Sequence, residues 1–138
     1  MPMKSTNYYN TFIAVAADCP AKTAEIPPLK KTGKSIAVIQ FETLIENPYR
    51  FTSDTVLFNI YAAKNNIQRE DSEQEKEHYF SKGQACFRCS PLPKRYGWGV
   101  HCNEEGKMAI YGIETEAYQK LAADDSLHHT KAMRSGKK

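Results

Sequence analysis

The amino-acid sequence predicts an α+β domain in which a small, mainly antiparallel sheet is covered by helices on one face. Three observations support this prediction: a β-rich run near the N-terminus, helical patterns in the middle of the chain, and strand-like runs joined by a tight turn nearer the C-terminus. The chain has 138 residues, the length of one domain. We therefore expect residues 1–138 to form a single domain, with residues 124–138 as a polar, basic tail that can dock on it.

The first strand and the first helix are separated by a long loop. Residues 11–16 are rich in β-branched and aromatic side chains, which predicts a strand. Residues 19–34 contain proline, glycine and lysine, a composition typical of loops. Ser35 can cap a helix over residues 36–46, and Pro48 disfavours helical geometry just beyond it.

Two more helices are predicted in the middle of the chain. Residues 52–54 offer capping oxygens before an apolar run over 56–63, which predicts a second, buried helix. The acidic stretch 70–77 favours the positive end of a third helix, which should stop at Gly83.

The C-terminal half is predicted to supply most of the sheet. Strand-like runs cover residues 85–89, 98–102 and 107–113. Residues 103–106 can close a hairpin between the last two runs. A short helix capped by Thr115 should follow, through residue 121.

Composition limits the class of protein. Hydrophobic residues make up 41% and charged residues 25%, values close to those of soluble globular proteins. No apolar stretch is long enough to cross a bilayer, so we expect no membrane partner. No secretory leader is visible, which predicts a cytoplasmic protein whose four cysteines are free thiols.

The net charge of +3 is unevenly distributed. Residues 128–138 carry four basic residues and no acid, which leaves 15 basic against 16 acidic residues elsewhere. A nucleic-acid-binding domain usually presents a basic surface on its folded body. The charge pattern therefore does not favour a nucleic-acid partner, although contact through the tail stays a third hypothesis.

The segment from Lys94 to Gly99 is the favoured binding site. It places Lys94 and Arg95 beside the aromatic rings of Tyr96 and Trp98, with glycines that let a ligand or another backbone segment approach closely. Arg95 would hold a carboxylate or phosphate, and the rings would supply an apolar wall. Lys82 could add a cation. In the competing interpretation Trp98 is a core residue and the two cations simply face water.

A zinc site is the sharpest competing hypothesis. Cys86, Cys89, His101 and Cys102 supply four ligands of the right type. In extended strands, however, Cys86 and Cys89 point to opposite faces, and so do the neighbours His101 and Cys102. We therefore expect no metal and no cofactor. A small enzyme that uses His101 or a free cysteine is the alternative function, although the sequence selects no catalytic pair.

Several short motifs together resemble an uncharacterised bacterial family of small single-domain proteins, a domain of unknown function. They are Asn7-Tyr8-Tyr9, Thr11-Phe12-Ile13, Thr23-Ala24-Glu25, Asn47-Pro48-Tyr49, Thr52-Ser53-Asp54, Phe80-Ser81-Lys82-Gly83-Gln84, Lys94-Arg95-Tyr96-Gly97-Trp98-Gly99 and Lys131-Ala132-Met133-Arg134. The resemblance spans nearly the whole chain, and it implies that the tail belongs to the domain. It implies no activity, substrate or catalytic residue.

Taken together, these observations predict noncatalytic binding of an anionic small molecule or peptide. The expected contacts are Arg95, Lys94, Trp98, Tyr96 and Lys82.

Overall fold

The computed structural model describes residues 6–28, 35–81 and 87–133. In chain order the elements are β1 (Thr11–Ala14), α1 (Ile36–Glu46), α2 (Ser53–Lys64), α3 (Ser72–Ser81), α4 (Pro91–Arg95), β2 (Trp98–Cys102), β3 (Met108–Gly112), α5 (Glu116–Ala122) and β4 (His128–Lys131), with 3-10 turns at Arg69–Asp71 and Phe87–Cys89. This arrangement confirms the predicted α+β class. None of the helices in the described ranges is long and apolar enough to cross a membrane.

The four strands form one mixed sheet in the order β3-β2-β1-β4. The pairs β1/β2 and β2/β3 are antiparallel, and β1/β4 is parallel, so the sheet is mostly antiparallel as predicted. The β2/β3 hairpin turns through residues 103–106, where the Asn103 side chain accepts from the backbone nitrogens of Glu105 and Lys107. Gly106 supplies the positive φ of +80° that this turn needs.

One face of the sheet packs against α1, α2 and α4. Because strand residues alternate in direction, Ile13, Val100 and Ile110 lie side by side on this face. They meet Leu44, Val56, Ile60, Phe87 and Leu92 in a single buried cluster. This cluster is the main core of the protein.

The other face carries α5. Phe12 is fully buried there, and its ring meets the edge of the Tyr118 ring at 5.0 Å between centroids. The Tyr118 hydroxyl accepts from the backbone nitrogen of Val15 at 3.0 Å. Since Gly99 has no side chain, the two rings can approach β2 closely at this point. This aromatic contact and this hydrogen bond hold α5 over β1.

The helix starts predicted from capping residues are confirmed. Ser35, Thr52 and Thr115 each accept a hydrogen bond from the backbone nitrogen three residues further on. The first helix has the predicted bounds, and α2 begins three residues earlier than predicted. The predicted end of the third helix at Gly83 lies outside the described residues.

The strand predicted over residues 85–89 is wrong for its described part. Phe87–Cys89 is a 3-10 turn, and the short helix α4 follows it before the hairpin. The physical reason is local: the Ser90 side chain accepts from the nitrogen of Leu92, and Pro91 occupies the first helical position, where a missing N–H costs nothing. Residues 85 and 86 lie outside the described ranges.

A fourth strand lies in the segment predicted as a polar tail. The backbone of β4 pairs with β1 from His128 to Lys131, although its side chains are exposed or only half-buried. Two further hydrogen bonds extend this pairing at its ends. The backbone nitrogen of His128 donates to the Asn10 carbonyl oxygen, and that of Ala132, just after β4, donates to the Ala14 carbonyl oxygen. Residues 134–138, which carry the other three cations of the tail, lie outside the described ranges.

We expect Gly99→Ala to lower the free energy of unfolding by about 2 kcal/mol, the usual cost of overpacking a well-filled site. A Cβ atom there would lie 2.6 Å from the Tyr118 ring and 2.7 Å from the Phe12 ring. Urea denaturation measures the change. In a Tyr118→Leu background the same substitution should cost less, because the nearest ring is gone. An equal cost in both backgrounds would contradict this account of the glycine.

Candidate functional site

The predicted segment at residues 94–99 spans the end of α4 and the start of β2. The Trp98 indole nitrogen donates to the carbonyl oxygen of Glu25 at 2.8 Å, and its ring lies 5.3 Å from that of Phe41 on α1. Trp98 is thus partly buried against the core cluster and engaged by the protein's own backbone.

The close approach predicted at Gly97 is made by another part of the same chain. Gly97 has a φ of +82°, and a Cβ atom there would lie 3.1 Å from the Thr23 carbonyl oxygen and 3.2 Å from Ala21. The backbone nitrogen of Glu25 also donates to the carbonyl oxygen of Tyr96 at 2.8 Å. In this structure the glycine therefore accommodates the segment 21–25.

The polar side chains of the segment lie at the surface. Arg95 is exposed, whereas Lys94 and Tyr96 are half-buried. The two cations end α4, and Tyr96 caps it with its backbone nitrogen. Of the cavities described below, none has these residues in its walls. Lys82 lies outside the described residues, so the predicted set is brought together only in part.

An open cavity of about 420 Å³ lies instead on the opposite side of β1 from β2. Its described walls come from the chain just after β1, the 3-10 turn and the end of β4 with the residues that follow it: Ala17, Arg88, Lys131, Ala132 and Met133. Two of these side chains are cationic and none is acidic. We call this cavity the Arg88–Lys131 cleft.

Arg88 is fixed in the cleft by two hydrogen bonds to the C-terminal segment. Its Nε donates to the carbonyl oxygen of Lys131 at 2.7 Å, and its own carbonyl oxygen accepts from the nitrogen of Met133 at 2.7 Å. Among the described residues, no hydrogen bond or ion pair occupies the terminal guanidinium nitrogens. A planar guanidinium held in this way keeps a pair of N–H groups available for a carboxylate or phosphate.

A second constellation lies on the α5 face of the sheet. The Tyr49 hydroxyl lies 2.7 Å from His101 Nδ1 and 2.7 Å from the Tyr111 hydroxyl. His101 and Tyr111 come from β2 and β3, and Tyr49 comes from the loop between α1 and α2. Tyr49 has a φ of +60°, a conformation that is rare for a bulky residue. Its nitrogen donates to the Met108 carbonyl oxygen at 2.8 Å, which holds the loop against β3.

Partial burial sets the protonation states of this tyrosine–histidine cluster. Desolvation lowers the pKa of His101, and the charge of Asp124 opposes this only in part. Desolvation, followed by the hydrogen bond with Tyr111, raises the pKa of Tyr49. At neutral pH the histidine is therefore neutral and the phenol is protonated. Within the described ranges His101 Nε2 has no hydrogen-bond partner, and no buried side-chain nitrogen or oxygen lacks one, so Nε2 is open to solvent.

A comparison with protein families gives the chain its classification. The model of a family of unknown function (DUF6157) matches residues 3–138. The chain belongs to this family. The match confirms the resemblance to an uncharacterised family of single-domain proteins of this length. No curated protein and no solved structure gives a significant match to the chain.

The described cysteines of this DUF6157 protein differ in burial. Cys102 is buried, and desolvation raises its pKa to about 12, which keeps it a thiol. Cys102 faces the core cluster, whereas its neighbour His101 faces α5, as strand alternation predicts. In the described part of the chain, no three His, Cys, Asp or Glu side chains are close enough together to hold a metal ion. Cys86 lies outside that part.

Sequence reasoning missed four of the residues that these two sites contain. The sequence predicts a strand around Arg88 and a tail around Lys131, and neither prediction indicates that the two residues meet. Tyr49 follows Pro48 in a predicted break, and Tyr111 lies in a correctly predicted strand. The hairpin register pairs Tyr111 with Gly99, two residues before His101, so Tyr111 and His101 lie on the same face of the sheet. The contact of Tyr49 with both could not be derived from local pattern.

We expect NMR titration to give His101 a pKa below the ordinary value of 6.5, because burial disfavours its charged form. Since the folded-state pKa is lowered, protons bind the unfolded state preferentially, and stability falls as the pH drops below 6.5. His101→Gln should reduce this acid sensitivity, whereas the matched control His128→Gln, at an exposed position, should not. A His101 pKa at or above 6.5 would contradict the account.

Proposed function

We propose that this protein binds an anionic small molecule or a short acidic peptide without catalysing a reaction on it. One observation supports this most directly: Arg88 and Lys131 share an open cavity of about 420 Å³ whose described walls contain no acid. A cavity of this size falls within the range typical of small-molecule sites. We also propose that the protein acts in the bacterial cytoplasm, as expected from the sequence, where its thiols stay reduced.

The chemistry of the cleft suits an anion with an apolar part. Arg88 presents a guanidinium that is already oriented, so little side-chain freedom is lost when it binds. Lys131 adds a second, exposed cation on β4. Ala17, Ala132 and Met133 supply apolar surface between and beside the charges. Phosphate and carboxylate groups both meet these requirements.

The segment at residues 94–99 stays a second location for the same function. Lys94 and Arg95 lie near solvent at the end of α4, and no ion pair of theirs is present among the described residues. Their surroundings supply less enclosure than the cleft does, because Trp98 and Gly97 are already engaged by residues 21–25. We therefore propose the Arg88–Lys131 cleft as the preferred location of the anion and the segment at residues 94–99 as the second.

The two locations are distinguished by titrating the protein with a panel of phosphorylated and carboxylated metabolites in isothermal calorimetry. Arg88→Gln should weaken binding of the best ligand by about tenfold or more, the usual effect of losing a charge-assisted hydrogen bond. Lys131→Gln should weaken it less, because Lys131 is more exposed. Arg95→Gln, which removes the same charge, is the matched control and should leave the affinity within about twofold.

Loss of binding in Arg95→Gln with no change in Arg88→Gln would move the site to the segment at residues 94–99. Absence of binding by every member of the panel would contradict the proposed function. A third outcome is that only nucleic acid binds, with a steep salt dependence, and that deletion of residues 134–138 abolishes this binding. Nucleic-acid contact through the tail would then replace both proposed locations of an anionic ligand.

A second candidate function is supported by the tyrosine–histidine cluster. A neutral histidine whose Nδ1 is held by a phenol and whose Nε2 meets solvent has the properties of a general base. We propose, as the alternative, that His101 donates its Nδ1–H to the Tyr49 oxygen and accepts at Nε2 a proton from a water molecule that attacks an ester or phosphoester. The bond to the leaving alcohol then breaks, and that alcohol takes the proton from Nε2. Tyr49 would orient the imidazole, and Tyr111 would orient Tyr49.

This alternative is tested by screening the protein against ester and phosphoester substrates. If any is hydrolysed, His101→Gln should lower kcat by about 100-fold or more, the usual contribution of general base catalysis. Tyr49→Phe should lower kcat less and shift the acidic limb of the pH profile. Cys89→Ala, at an exposed cysteine, is the control and should not change the rate. Hydrolysis that survives His101→Gln would exclude this role for the histidine.

A further inference from the structure

A separate cavity lies between α1, α2 and the end of α3, away from both sites described above. Its volume is about 190 Å³. The described lining residues are Ile36, Gln40, Leu57, Ile60, Tyr61, Lys64, Asn65 and Tyr79. An engineered cavity of about 150 Å³ binds benzene, so this space is large enough for a single substituted ring.

Gln40 is the unusual residue in this wall. Its side chain is only 3% exposed, yet it is polar and lies on an apolar helix face. Its Oε1 accepts from the Ser90 hydroxyl at 2.6 Å. The same Ser90 oxygen accepts from the backbone nitrogen of Leu92 at 3.2 Å, so Ser90 acts as a donor to Gln40 and as an acceptor from Leu92. The oxygen end of the Gln40 amide is therefore engaged by Ser90.

The amide nitrogen of Gln40 must then point the other way. Within the described residues it donates no hydrogen bond, and no fully buried side-chain nitrogen or oxygen there lacks a partner. The nitrogen therefore meets accessible space. Because Gln40 lines the cavity and is otherwise buried, that space is the cavity itself. The cavity thus has an oriented, unused N–H donor in its interior.

Apart from Lys64 and Asn65, the rest of the described wall is aliphatic or aromatic. The rings of Tyr61 and Tyr79 lie 4.5 Å apart between centroids at an angle of 36°. Leu57 and Ile60 form the α2 side, and Ile36, which is 48% exposed, lies at the entrance. Flat aromatic and aliphatic surfaces of this kind favour a planar apolar ligand.

The opening carries a positive charge. Lys64, in the last turn of α2, is exposed and lines the cavity, and no acidic residue is among the described lining residues. An anionic group on the ligand would therefore find a cation at the mouth while its ring occupied the apolar space. A ligand that uses both the buried donor and the cation at the rim must therefore carry a hydrogen-bond acceptor and an anionic group on one small ring.

We propose that this cavity binds a small aromatic carboxylate that carries a second oxygen substituent. The ring lies among Ile36, Leu57 and Ile60, the substituent oxygen accepts from Gln40 Nε2, and the carboxylate pairs with Lys64. The site is distinct from the Arg88–Lys131 cleft and does not depend on the function proposed for it.

The probe for this site is 4-hydroxybenzoate, titrated into the isotope-labelled full chain and followed by NMR. The side-chain amide signals of Gln40 should shift on binding, together with backbone signals of residues 57–64. Gln40→Met should weaken binding by about tenfold, because it keeps the shape of the side chain and removes the donor. The matched control is Ser90→Ala, which breaks the same Ser90–Gln40 bond but keeps the donor, and it should bind within about twofold.

A surface variant keeps the proposal testable if Gln40→Met does not fold. Lys64→Met should remove the preference for 4-hydroxybenzoate over the neutral analogue 4-hydroxybenzyl alcohol, whereas Lys120→Met, at an exposed position on α5, should retain it. Arg88→Gln should leave the binding unchanged, which separates this site from the cleft. The proposal is overturned if 4-hydroxybenzoate causes no shifts at millimolar concentration, or if it binds Lys64→Met and wild type with the same preference.

Discussion

The structure depends on β1 being paired on both edges and buried on both faces. Thr11, Phe12 and Ile13 are each at most 5% exposed, although the strand has only four residues. On one edge β1 pairs with β2, about 90 positions later, and on the other with β4, near the end of the chain. A strand in this position loses hydrogen bonds and apolar contacts together if either partner is displaced. The chain must therefore close its longest loops before its N-terminal strand is stable, a topology of high contact order.

The same pairing builds both candidate sites. Register with β1 brings Lys131 at the end of β4 beside the 3-10 turn, where Arg88 binds its carbonyl oxygen. On the other edge, the β1/β2 register places His101 beside Phe12 on the face covered by α5. Tyr49 reaches that face because its nitrogen is bound by β3 and its backbone adopts a positive φ. Neither site exists in a chain whose sheet is incomplete, so ligand binding at either should stabilise the fold as a whole.

Sequence pattern predicted the elements whose signals are local. Apolar spacing and capping oxygens located α1 and α2, and the run around Trp98 with the turn at residues 103–106 located the hairpin. It failed at β4, because His128 to Lys131 lack the alternation of a half-buried strand and are held by backbone pairing on one edge. It also failed at α4, although a local signal was present, because Ser90 followed by Pro91 is a typical helix start. Contacts between distant segments, such as Arg88 with Lys131, leave no local trace.

The segment at residues 94–99 shows why a concentration of distinctive residues does not by itself identify a binding site. Its glycine at a φ of +82° and its indole N–H have the properties that a ligand would use, but residues 21–25 use them here. A loop that must cross the end of a strand needs a residue without a Cβ beneath it and a donor for its carbonyl groups, and Gly97 and Trp98 supply these. The Arg88–Lys131 cleft and the cavity lined by Gln40 have the opposite character. The terminal guanidinium nitrogens of Arg88 and the amide nitrogen of Gln40 have no partner among the described residues. Donors that the fold orients but does not use are better evidence of a ligand than residue types that are merely rare in the sequence.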